Sequence, residues 1–361
     1  MATLTEAAFF SRRAIRYGAI AIVAYIILRI VFAVLSSWWR AAHPPPPPPA
    51  TVAFGNLPPL VFPQQEKPEF TFSLETVDGT TGNFGPTANV YVVPEERGSL
   101  LALERTSELA RRLDFSSEPE RVSDTVYRWS ITQPLPASLV VDLLTEHLTY
   151  DVNWRVQPQL TSDTQALAET DAIAEARNWL AHLQLLTEDL GVGEAKLTYL
   201  KVSGTEIVPA LSQSEAQFVQ VDLFRSNVVV GGEEEEGREE FSVMPLNPDQ
   251  GLASVILLKP SRTRTIIVHG VYRYIPIAYD QSATYPLISS QDAWERLKSG
   301  AAYYASVPQG LKTIAIRRIS LAYLDPIEAG NYLQPIYVFE GDQGFLAYVP
   351  AVADEALLGA K

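Results

Sequence analysis

Residues equipped for chemistry are few in this chain, and they stand apart from one another. The four histidines are His43, His147, His182 and His269, and no two lie within four positions, so no His-Glu-x-x-His pair grips zinc from one helix face. Cysteine is absent, which removes disulfides, thiolate metal sites and cysteine nucleophiles together. No serine stands in Gly-x-Ser-x-Gly or Ser-x-x-Lys, and no glycine-rich loop ends in Gly-Lys, so the common acyl-transfer and phosphate-cradling signatures are missing.

Paired carboxylates are the next candidates, since a glycosidase holds two of them roughly 5–10 Å apart in a cleft. Glu340 and Asp342 flank Gly341 at an expected hairpin turn, where Gly and Asp serve the backbone. Glu233 to Glu236 could gather calcium, but they lack the spacing that wraps oxygens around one ion, so a solvated loop is expected. Among the aromatics, Trp294, Tyr303 and Tyr304 are the candidates for an exposed ring surface that a ligand or partner could use. Tyr323, Tyr332, Tyr337 and Tyr348 belong to the closing strands and are expected to be mostly core. These residues imply no cofactor and no metal, and the chain reads as a non-catalytic protein.

What positions this sparse chemistry begins with the strongest pattern in the sequence. Gly18 to Trp39 is apolar except for Arg29, two serines and a tyrosine, which is about the length of helix that spans a bilayer. Arg12, Arg13 and Arg16 precede it, against only Arg40 and His43 beyond it, so the bias of positive charge places the tail 1–16 in the cytoplasm and the rest outside. A cleaved signal peptide is the competing reading, but the apolar stretch is too long and ends in Ser-Ser-Trp-Trp-Arg. Arg29 has no acidic neighbour within the span: it either pairs with a carboxylate on another membrane protein or snorkels toward the headgroups.

The expected organisation is therefore a tail over 1–16, a transmembrane helix over 17–39 and a proline-rich stalk over 40–68. Pro44 to Pro49 should form a polyproline rod, which serves as a stiff spacer or as a docking site for an aromatic groove. After residue 50 the chain holds 23 basic and 41 acidic residues, a net charge of −18, so nucleic acid and anionic lipid are poor partners.

Three α+β units are expected at 69–160, 161–232 and 241–361, with an acidic loop over 233–240. Leu148, Tyr150, Val152, Trp154 and Val156 alternate with polar residues as a half-buried strand does. Ala172, Ala176, Trp179, Leu180 and Leu183 recur every three or four residues, as one face of a helix does.

The repeated order of helix and small antiparallel sheet resembles the PepSY-like group of extracytoplasmic domains. The likeness is closest in Asp292-Ala-Trp-Glu-Arg-Leu-Lys-Ser-Gly300, Ile316-Arg-Arg-Ile-Ser-Leu-Ala-Tyr323 and Tyr332-Leu-Gln-Pro-Ile-Tyr-Val-Phe-Glu-Gly341. Over Leu287 to Val352 the chain is similar to the C-terminal part of YycH/YycI-type bacterial accessory proteins. The resemblance implies an α+β fold of tandem PepSY-like units, each an antiparallel sheet packed with one helix, behind a single N-terminal anchor. In that family the span and the exterior domain hold a sensor kinase in check. The expected function is thus a membrane-anchored binding or regulatory protein of a bacterial envelope, partnered by the bilayer and by another membrane or envelope protein. The alternative is a cell-wall-associated enzyme, or a chaperone or inhibitor of an exported enzyme.

Overall fold

A computed structural model describes residues 49–65, 70–95, 98–231, 238–261 and 264–359, together with 17, 22, 25–36 and 38. The chain divides into two units at Pro49/Ala50. Within the first, 25–36 are helical, and 25–35 are exposed. Among the described residues no helix is long and apolar enough to cross a membrane, and much of the expected 17–39 span lies outside them. The tail 1–16 and residues 40–48 and 66–68 of the expected stalk also lie outside the described residues.

In the second unit, strands are set by alternation of apolar and polar residues. Phe218–Leu223 sends Val219, Val221 and Leu223 to one face and Phe218 to the other, and it lies inside a nine-stranded sheet. That sheet runs in the spatial order Glu120–Arg121, Val126–Ile131, Ala137–Asp142, Leu148–Val152, Ile266–Tyr272, Ala253–Leu258, Phe218–Leu223, Ala195–Ser203, Glu206–Pro209. All its neighbours are antiparallel. One face carries the helices Ala102–Arg112 and Glu169–His182, whose Ala110, Ala172, Ala176, Trp179 and Leu180 join the main core. A smaller core of Trp154, Leu200, Phe218, Leu258 and Val268 fills the other face.

The helix Ser290–Lys298 packs Ala293, Trp294 and Leu297 on a second sheet. The Ser289 hydroxyl starts it by accepting from the Asp292 amide at 3.0 Å, which satisfies one of the first-turn donors. Its sheet runs Thr71–Leu74, Thr313–Leu324, Pro335–Gly341, Leu346–Pro350, Tyr303–Ser306, with Val243–Met244 also on Thr313–Leu324. A three-stranded sheet orders Ala278–Pro286, Thr87–Val92 and Tyr332–Leu333. The hairpin Val228–Val230 with Glu239–Phe241 stands by itself.

The α+β class is as expected, but five expectations are corrected. Three consecutive units do not form, because the boundaries at 160 and 240 cut through sheets. Leu148–Val152 pairs with Ile266–Tyr272, and Thr71–Leu74 with Thr313–Leu324. An unpaired edge leaves a row of amide and carbonyl groups without partners, and distant strands satisfy it here. The second sheet is not purely antiparallel, since Thr71–Leu74 and Val243–Met244 both run parallel to Thr313–Leu324.

The alternation from Leu148 stops at Val152, and Trp154–Val156 turns into a short 3-10 helix that sets the Trp154 ring 5.1 Å from Phe218. The stalk does not reach residue 68. Residues 50–65 belong to the folded unit, because Leu57 is fully buried there and Gln334 donates to the Pro58 carbonyl at 2.9 Å. Of the expected acidic loop, 233–237 lie outside the described residues, and Glu239–Phe241 is a strand.

Gly270 shows how closely helix and sheet approach. A Cβ at this position would run into the six-membered ring of Trp179. Gly270→Ala is therefore expected to displace the Glu169–His182 helix and cost about 1–3 kcal/mol, read as a lower urea midpoint with an unchanged slope.

Candidate functional site

Where the sheets meet, the chain buries a charge. Arg225 follows the strand Phe218–Leu223, and its side chain is fully inaccessible. Its position depends on Gly193: the chain leaving the short helix Glu188–Val192 passes so close to Phe224 that a Cβ on Gly193 would strike the Phe224 carbonyl. Phe224 N–H donates to the Glu194 carbonyl at 2.9 Å and locks that crossing.

The guanidinium is satisfied from several sides. Nη1 donates to Asp189 Oδ2 at 2.6 Å, Nε to Asp325 Oδ1 at 3.2 Å and Nη2 to the Ile275 carbonyl at 2.7 Å. Its plane lies 4.5 Å from the Tyr274 ring centroid. Asp189 is completed by the Tyr274 hydroxyl at 2.9 Å, the Thr187 hydroxyl at 2.6 Å and the Leu190 amide at 3.0 Å.

Burial acts against the charge on Arg225, but Asp325, Tyr274, Tyr279 and Asp189 more than offset it, so its pKa is raised. Burial raises the pKa of Asp325, and Arg225 only partly opposes this. Tyr279 is pushed up to about 12, first by burial, with Arg225 pulling the other way.

Two clefts flank this cluster, of about 590 and 750 Å3, and both are bordered by Val192, Ser226, Asn227, Val229 and Arg238. The first lies against Glu194, Lys196 and Glu240; the second is walled by Tyr91, Tyr274 and Tyr279. Both have the size of a small-molecule or peptide site.

The residues singled out from sequence lie elsewhere. Trp294 and Tyr304 are only 7% and 6% exposed, so they are core and do not form an exposed aromatic surface. Trp294 packs edge-on to Phe72, and Tyr304 edge-on to Phe70, because the helix and the edge strand close over the same sheet. Tyr303 is half-buried and stacks on Phe62 at 5.0 Å. Arg29 is exposed on the helical stretch 25–36, in the other unit of the chain.

Glu340 and Asp342 form no dyad. Arg318 grips Glu340 with two hydrogen bonds of 2.8 and 2.7 Å, and Arg317 grips Asp342 with two of 2.8 and 3.0 Å. His269 Nδ1 lies 2.7 Å from Asp151 Oδ1, a pair made by adjacent strands placing these residues opposite each other. Among the described residues no three His, Asp or Glu side chains gather as a metal site would require.

Sequence reading passed over Arg225, Asp189 and Asp325. The one available signal was a lone cation beside Asp222 in the strand-like run from Gln217 to Val230. Arg225→Met leaves two buried carboxylates without their cation and should cost about 3–5 kcal/mol in urea unfolding at pH 7. Because the folded state holds the Asp325 proton more tightly than the unfolded chain, stability falls as pH rises from the ordinary carboxylate range through its raised pKa. The deficit of Arg225→Met should thus shrink toward pH 4, and adding Asp325→Asn should recover part of it. An equal deficit at every pH would refute the account.

No family model matches the chain, and no curated protein matches it.

Proposed function

We infer that the chain is a single-pass membrane protein, with its N-terminus cytoplasmic, whose exterior α+β domain binds and regulates another membrane or envelope protein without catalysing a reaction. One observation carries this reading. Along 25–36 the large apolar side chains, from Tyr25 to Leu35, are exposed by 47% at Val31 to 69% at Phe32. They occupy successive positions and so cover every side of the helix, whereas a helix lying on a water-soluble domain keeps a polar face outward. A lipid environment is the solvent that suits such a surface.

The proline run at 44–49 and the excess of basic residues before the span support the same arrangement. The resemblance to PepSY-like and YycH/YycI-type accessory proteins supports a regulatory role, with a sensor kinase as the example of a partner. Arg29 would be the contact within the membrane, since a cation there is stabilised by a carboxylate from a neighbouring helix. Glu340 and Asp342 are each held by an arginine, which removes this one pair as an acid–base dyad.

Because the chain has no cysteine, single cysteines report topology cleanly. In intact bacterial cells, Ser117→Cys should react with an impermeant maleimide, and Ala2→Cys only after permeabilisation. Release of the protein by alkaline carbonate, or labelling of Ala2→Cys from outside, would defeat the anchor reading. Crosslinking and pull-down of the wild type against Arg29→Leu should show loss of a membrane partner; identical partner sets would rule out pairing through Arg29.

A further inference from the structure

The larger cleft is bordered by the consecutive residues 226–231. Consecutive residues line a groove when a strand presents its edge, because a face shows only alternate positions. Val228–Val230 pairs with Glu239–Phe241 on one side, and among the described residues no strand pairs with its other side. Val228–Val230 borders a cleft of about 750 Å3 that Tyr91, Tyr274 and Tyr279 also line.

Two other strand edges are closed. Gln65 uses its side-chain amide to pair with both the N–H and the carbonyl of Tyr304 on the edge strand Tyr303–Ser306. Thr51 and Val52 cover Thr284 on the outer side of Ala278–Pro286. An open strand edge facing aromatic rings is the geometry of recognition by strand addition.

The charges around the cleft select the occupant. Glu188 borders it, Asp280 lies in the exposed bulge between the lining residues Tyr279 and Ser282, and both are exposed. Among the described residues neither carboxylate has an ion-pair partner, whereas the lining cation Arg238 has Glu240 at 4.0 Å. Tyr279 is 41% exposed and forms a T-shaped pair with Tyr91 at 5.7 Å, which leaves part of its ring accessible to a cation.

We propose that the outer edge of Val228–Val230 binds an extended, lysine- or arginine-rich segment of a partner protein, which adds as a strand and sets its cations against Glu188, Asp280 and the Tyr279 ring. The proposal deepens the binding role above and rests on it. Val228–Val230 spans about 10 Å when extended, room for some three residues of the guest to pair.

The test uses the full-length chain in detergent and fluorescence anisotropy of a labelled octapeptide of alternating Lys and Val. It should bind saturably, and the alternating Glu–Val octapeptide should not. Methylating alternate backbone nitrogens of the Lys–Val peptide should abolish binding, because the guest then loses donors to the strand edge. The surface variant Glu188→Lys/Asp280→Lys should weaken the Lys–Val peptide by about tenfold while the urea midpoint stays unchanged.

Absent binding, equal binding of the methylated peptide, or an unaffected double variant would each overturn the proposal. So would a concentration-dependent dimer that the peptide competes away, which would assign the edge to a second copy. If a crosslinked partner is still recovered with the double variant while the peptide fails to bind, this groove is wrong and the partner-binding reading stands.

Discussion

A cation placed out of water can stay charged only if several dipoles and anions are brought to it, and Arg225 imposes that demand on the fold. Its ligands come from the short helix Glu188–Val192, from the segment after Ile266–Tyr272 and from Asp325, just past the long strand Thr313–Leu324. Two of these belong with the nine-stranded sheet and one with the second sheet, so the guanidinium fork is satisfied only when both sheets are in place. A buried ion cluster adds little net stability over apolar packing of the same volume. What it supplies here is direction, since a planar fork accepts partners only along its own N–H axes.

The clefts follow from the same constraint. Asp189 turns inward to Arg225, so Thr187, Glu188 and Val192 are carried to one border of the larger cleft. Tyr274 lies against the guanidinium and donates to Asp189, which fixes one wall. The hairpin Val228–Val230 with Glu239–Phe241 leaves directly after Arg225, and its position derives from the same anchor point.

Much of the local structure was legible because it is written in periodicity. The helix with Ala172, Ala176 and Trp179 and the strand Leu148–Val152 follow from spacing alone. Ala278–Pro286 did not, because Tyr279 to Ser282 are four exposed residues in a row and show no alternation. The shared nine-stranded sheet was equally hidden, since which edge finds which partner depends on tertiary packing across a hundred residues or more. At the site, Arg225 looked like an ordinary surface cation, for its partners lie 36, 50 and 100 positions away. The aromatic candidates failed for a related reason: residue type marks a ring as useful, but only packing decides whether it stays uncovered.

The early end of the proline-rich segment has a mechanical meaning. Residues 50–65 are built into the domain through Val52 on Thr284, Leu57 beside Leu357, Pro58 under Gln334 and Gln65 along Tyr304. Tension arriving along the chain from residue 49 is met first by the Thr51 and Val52 hydrogen bonds to Thr284, and only then by the buried Leu57. Thr284 lies two residues from Ser282, at the border of the larger cleft. A pull along residues 50–65 would thus reach the strand Ala278–Pro286, which also borders the larger cleft.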